Sequence, residues 1–154
     1  VLLYNLTEEL PDGDYICALD QADLVQEGSD VTILTYSRMR QHCLKAVEQL
    51  ESDGISVELI DLISLKPFDM ETIAKSIRKT HRVIVVEECM KTGGIGAELI
   101  ALITEHCFDD LDARPIRLSS QDIPTPYNGN LENLTIIQPH QIVETAQAIV
   151  RKGL

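Results

Sequence analysis

Glu87 and Glu88 close an apolar run and are followed within a few residues by Gly93-Gly94-Ile95-Gly96, so two carboxylates stand beside a glycine turn. Two chemistries fit such a constellation. Paired carboxylates can share general acid and base work, and a glycine turn that opens a helix can cradle a phosphate on its backbone N–H groups. Each meets an objection. Neighbouring residues on a strand point to opposite faces, so Glu87 and Glu88 cannot both converge on one substrate. Gly93-Gly94-Ile95-Gly96 lacks the G-x-G-x-x-G spacing, carries no Walker Lys-Ser/Thr pair, and follows two carboxylates that repel an anion. The glycines therefore read first as a structural turn, with Gly93 or Gly94 at positive φ and Gly96 letting the helix approach the sheet closely.

The other candidates are weaker. His42 precedes Cys43 on a helical stretch, where adjacent residues do not face each other, so they form no nucleophile and base. His81 begins an apolar run, and His106 and His140 lie near a helix end and a helix start; all read as surface or capping residues. The four cysteines, Cys17, Cys43, Cys89 and Cys107, form no C-x-x-C pair and have no histidine at zinc spacing, so reduced and mostly buried thiols are expected. Glu105, Asp109, Asp110 and Asp112 gather after the glycine-opened helix, as either a solvated face or a docking patch for a basic partner.

The elements that must position these residues are legible from periodicity. The stretch before Asp30 carries the turn signals Pro11-Asp12-Gly13-Asp14 and Glu27-Gly28 and reads as an extended lead-in with one short strand. Val31–Tyr36 is β-branched and nearly continuously apolar, like a strand covered on both faces. Cys43, Leu44, Val47 and Leu50 then share a helical stripe that stops at Gly54. Val57–Ile63 predicts the next strand, Asp69 the N-cap of the next helix, and His81–Glu87 the strand before the glycine turn. Ile95, Leu99, Leu102 and Ile103 form the stripe of the following helix, Pro115–Ser119 predicts a short strand, residues 121–134 read mostly as loop, and Pro139 opens a last helix. Strands alternating with helices at crossover length predict an α/β domain: three layers, αβα, around a mainly parallel sheet.

With 154 residues, 44% of them hydrophobic, the chain suffices for one core of ordinary size. The formal net charge of -12 argues against nucleic acid and anionic membranes and favours a basic partner. No apolar stretch reaches the roughly 20 residues that cross a bilayer, and the sequence reads as that of a soluble protein. Val1-Leu2-Leu3-Tyr4 has no initiator Met and no capping signal, as expected of a piece of a longer chain.

Four stretches, "DVTILTYSRMRQHCLKA", "VELIDLISLKPFDMETI", "HRVIVVEECMKTGGIGAE" and "SSQDIPTPY", occur in an order that resembles the C-terminal domain of the transketolase superfamily. Within it, the sequence is most similar to the beta subunits of the pyruvate dehydrogenase decarboxylating component, of the cyanobacterial and chloroplast type. The resemblance implies a transketolase C-terminal-like domain over residues 30–154, and a lead-in over 1–29 from a pyrimidine-binding domain that this chain lacks. It implies thiamine diphosphate and magnesium in the whole enzyme but none held here, since no residue matches the family's activating glutamate or metal motif. It also implies three partners: the alpha subunit, a second beta subunit, and the basic subunit-binding domain of the dihydrolipoyl acetyltransferase. That last domain would meet Asp112 foremost, then Asp109 and Asp110. The implied location is a cyanobacterial cytoplasm or the chloroplast stroma. Ser37 stands where many members carry glycine, at a cost if that position needs a positive φ. Two alternatives remain at this stage: the same domain of a branched-chain 2-oxo acid or acetoin dehydrogenase, and a free-standing nucleotide-binding α/β module.

Overall fold

A computed structural model describes residues 7, 9 and 12–152. Val1–Tyr4 and part of the expected lead-in lie outside the described residues. Five strands form one sheet in the order β1-β3-β2-β4-β5, with β1 at Asp23–Gln26, β2 at Val31–Thr35, β3 at Val57–Asp61, β4 at Val83–Met90 and β5 at Ile116–Ser120. Four of them run parallel, and β1 closes the β3 edge in the antiparallel sense. The helices are α1 (Met39–Ser52), α2 (Met70–Thr80), α3 (Ile95–Cys107), α4 (Gly129–Thr135) and α5 (Pro139–Lys152).

Alternation along the strands feeds two cores. Val31, Ile33, Val57, Leu59, Ile84 and Val86 face α1 and α5, where Cys43, Leu50, Ile142 and Ile149 are buried. Leu34, Ile60, Val83 and Val85 face α2 and α3, against Ile73, Ile77, Leu99 and Ile103. Because both sheet faces are covered, the central strands read as unbroken apolar runs. This is the three-layer αβα architecture expected. Asp69 caps α2 as read, its Oδ1 accepting from Thr72 N at 3.0 Å, and Gly54 takes φ +77° after α1.

The boundaries differ in instructive places. His81 does not begin β4. It adopts φ +57° as the left-handed cap of α2, donating its N–H to Ile77 O at 2.7 Å, and the strand starts at Val83. β4 then runs on through Glu87, Glu88, Cys89 and Met90, so the carboxylates lie within the strand. β3 stops at Asp61, shortly before Ile63 at φ +54°. The stretch 121–134, read mostly as loop, contains the start of α4: Asn128, in an Asn-Gly-Asn run suited to a turn, instead caps a helix by accepting from Asn130 N and Leu131 N. Cys43 and Cys107 are buried as expected, but Cys17 and Cys89 are exposed, and all four are free thiols. Among the described residues no helix is long and apolar enough to cross a membrane.

Candidate functional site

The glycine turn connects β4 to α3 at the carboxyl end of the parallel strands, where ligands dock in open α/β sheets. The first amides of α3 need an acceptor, and the N-cap residue Gly94 has no side chain to supply one. Glu87, on β4, fills that need. Its side chain is fully buried, and its Oε2 accepts from Gly96 N at 2.8 Å. Its Oε1 accepts from Ser119 Oγ at 2.7 Å and lies 3.7 Å from Arg117 Nε, both on β5. Tyr36 OH donates to Oε2 at 3.4 Å. Burial, with Cys89 and Glu87 nearby, pushes the Tyr36 phenol upward, so it remains a donor.

The anion site at this helix N-terminus is therefore occupied by the chain's own carboxylate. Gly93 carries the positive φ, +78°. Gly94 and Gly96 serve by lacking a Cβ: one added at Gly94 would stand 2.6 Å from Met90 O and 2.8 Å from Glu87 Oε1, and one at Gly96 2.6 Å from the same Oε1. Gly93 thus meets a need of conformation, and Gly94 and Gly96 a need of close approach. Glu88 points the other way, half-exposed, and pairs with Arg38 at 3.3 Å. Arg117 also donates through Nη2 to Lys91 O, which ties the turn to β5. The sequence showed Glu87 as a charge that repels phosphate. The roles of Tyr36, Arg117 and Ser119 carried no local signal, since they arrive from β5 and the end of β2.

Two of the histidines make structural bonds. His42 is half-buried, and its Nδ1 donates to Ile137 O at 2.8 Å; burial lowers its pKa. His81 Nδ1 likewise donates to Asp110 O at 2.7 Å. His106 and His140 are exposed. Cys43 faces the core, where burial pushes its thiol up to about 12, so it is no nucleophile. Among the described residues no group of three His, Cys, Asp or Glu side chains could hold a metal ion.

The acidic run is partly neutralised from within. Asp110, in a 3-10 turn at Phe108–Asp110, pairs with Arg78 at 3.2 Å. Asp112, whose side chain is 61% exposed, lies 3.7 Å from Arg82, and its N–H donates to His81 O. Glu105 and Asp109 are exposed and have no ion pair among the described residues. Beside Asp112 lies a groove of about 390 Å³ walled by Phe108, Leu111, Ala113 and Pro115.

Residues 20–142 match the family described as Transketolase, C-terminal domain. Over 153 residues the chain is 62% identical to the pyruvate dehydrogenase E1 component subunit beta of Porphyra purpurea, covering 99% of this chain and 46% of that protein. It is 56% identical over 149 residues to the chloroplastic subunit beta-2 of Arabidopsis thaliana, covering 97% and 37%. The chain thus spans less than half the length of these relatives. Among solved structures, a split gene transketolase described as an inactive beta4 tetramer aligns at TM-score 0.77 and 26% identity, over 94% of this chain and 46% of that one. A 2-oxoglutarate:ferredoxin oxidoreductase from Magnetococcus marinus, at TM-score 0.57 and 18% identity over 84% of this chain and 19% of that one, shares the fold.

Proposed function

Because this chain belongs to the transketolase C-terminal domain family, we propose that it is the C-terminal assembly domain of a pyruvate dehydrogenase beta subunit. The observation that carries the reading is the 62% identity, along nearly the whole chain, to a protein of that name. The whole enzyme would decarboxylate pyruvate on thiamine diphosphate with magnesium and pass the acetyl group to a lipoyl arm. This domain contributes no group to that chemistry. The glycine turn before α3 is filled by Glu87 rather than open to a diphosphate, and among the described residues no group of three His, Cys, Asp or Glu side chains is placed to hold a metal ion. The same filling weighs against a free-standing nucleotide-binding module. Residues 1–29 would lead in from a pyrimidine-binding domain, with the domain proper at 30–154. The location is a plastid stroma or cyanobacterial cytoplasm, in keeping with the chloroplastic name of the Arabidopsis relative.

The domain's work is then to join subunits: the alpha subunit, a second beta subunit, and the basic subunit-binding domain of the acetyltransferase. Asp112 is the principal contact to that last partner, with Asp109 and Asp110 beside it. Its exposed carboxylate already shares Arg82, so a basic partner competes with an internal cation. Exposed pairs contribute up to about 1 kcal/mol, or roughly fivefold in affinity, and are screened over about 8 Å at physiological salt. The test is binding of the purified subunit-binding domain to the assembled beta subunit, as wild type and as Asp112→Asn, at low and high salt. Weaker binding by the variant, with the gap closing as salt rises, is expected. Equal affinities without salt dependence would make the acidic run a solvated face only.

A further inference from the structure

The end of α2 and the acidic turn before β5 are joined at His81. An α-helix commonly closes on a glycine in the left-handed conformation, and His81 holds that place at φ +57°. A glycine would take it without the Cβ penalty, so closing the helix does not call for a histidine. The ring answers to something else. Its Nδ1–H donates to Asp110 O at 2.7 Å, while the His81 carbonyl accepts from Asp112 N at 2.9 Å. The two bonds bracket Leu111, which packs against the core beneath α2 and α3. Three successive residues of the turn are thus held in place, two of them by His81.

The carboxylates are sorted by the neighbours of the same residue. Arg78, three residues before His81, takes Asp110 in a hydrogen-bonded pair at 3.2 Å. Arg82, the next residue after it, stands 3.7 Å from Asp112, beyond hydrogen-bonding distance. The backbone of Asp112 is therefore pinned, while its carboxylate keeps acceptor sites open to an incoming donor. We propose that His81 is a positioning residue for docking: it staples the turn to α2, so that Asp112 is presented in one place to a basic partner. This rests on the reading of the acidic turn as the contact for the subunit-binding domain of the acetyltransferase. A turn ordered before binding spares the complex the conformational entropy of ordering it. Such a residue changes affinity through where a carboxylate stands and leaves the number of carboxylates unchanged.

Two variants separate the ring bond from the backbone conformation. His81→Gly keeps the left-handed cap and loses the ring. His81→Asn tolerates the same conformation, and its amide nitrogen, attached to Cγ as Nδ1 is, retains the donor. In hydrogen exchange on this chain, the Leu111 and Asp112 amides of His81→Gly should exchange about tenfold faster than in wild type, with those of β2 and β4 unchanged. In the assembled beta subunit, His81→Gly should bind the purified subunit-binding domain about fivefold more weakly. Its salt dependence should stay that of wild type, because no carboxylate is removed, whereas Asp112→Asn should lose part of both affinity and salt dependence. His81→Asn should match wild type in both measurements. Turn amides in His81→Gly that exchange as in wild type would overturn the staple, and a loosened turn that binds as wild type does would overturn its role in docking. Should Asp112→Asn bind like wild type as well, the docking reading itself falls and the role of His81 falls with it, whereas the exchange rates still decide the staple.

Discussion

Glu87 is a residue whose meaning depends on what it touches. In the sequence it is a carboxylate ahead of three glycines; in the fold it is the acceptor that Gly94 cannot provide at the start of α3. Glu87→Ala would leave the Gly96 amide, Ser119 hydroxyl and Arg117 guanidinium without their buried acceptor, and is expected to cost about 3–5 kcal/mol in urea unfolding. Gly96→Ala, which drives a Cβ into the same carboxylate, should cost about 1–3 kcal/mol. Their combination should fall well short of the sum, because the first change removes the atom that the second collides with. Full additivity would show that the glycines answer to something other than Glu87. His42 makes a different statement, about pH. Burial lowers its folded pKa below the unfolded value of about 6.5. The unfolded chain then takes up a proton before the folded one does, so this part of the stability is complete above about pH 6.5 and declines as pH falls toward the folded pKa. Wild type should lose stability between about pH 6.5 and 5 more steeply than His42→Gln, measured by urea unfolding across that range. Parallel curves would contradict the assignment.

The turns between elements explain which boundaries could be read. Strand and helix interiors were legible because both sheet faces are covered and the apolar residues keep a strict period, as in Val31–Thr35 and in Ile73, Ala74 and Ile77 of α2. Misread ends fall where a residue departs from its usual habit. His81 takes a left-handed conformation that favours glycine, supported by its ring bond to Asp110 O, and Asn128 starts a helix where its neighbours spell a turn. Gly28 looked like an ordinary turn glycine, yet an added Cβ would run into the backbone of Val57 and Glu58, so its role is close packing against β3. The site was half legible for the same reason: the glycine spacing is local, whereas the Arg117 and Ser119 contacts come from β5, about thirty residues on. Ser37, between β2 and α1, has φ +55° with a side chain open to solvent. Glycine adopts that conformation without the Cβ penalty, although it loses more chain entropy on folding. Ser37→Gly is expected to stabilise the domain by roughly 0.5–1 kcal/mol and to raise the thermal midpoint. A lower midpoint would mean that the serine holds the turn by a contact of its own.

Taken whole, the molecule separates its two kinds of surface. At the sheet's carboxyl end, where a domain of this topology would ordinarily hold a ligand, the glycine turn before α3 is filled by an internal carboxylate. The outer side of α3 and the acidic turn after it stay open, with an exposed aromatic, a groove and, at Asp109, a carboxylate without an ion pair among the described residues. Such a distribution suits a domain that assembles an enzyme and leaves the chemistry to its neighbours. The most direct measurement is a transplant. The matching C-terminal part of the Porphyra purpurea beta subunit, 62% identical to this chain, is replaced by it, the chimera is combined with the Porphyra alpha subunit and acetyltransferase, and pyruvate-dependent acetylation of lipoyl groups is followed. A C-terminal assembly domain of this enzyme should give an assembled chimera with activity close to that of the parent. A folded chimera that neither associates with the alpha subunit nor acetylates lipoyl groups would contradict it.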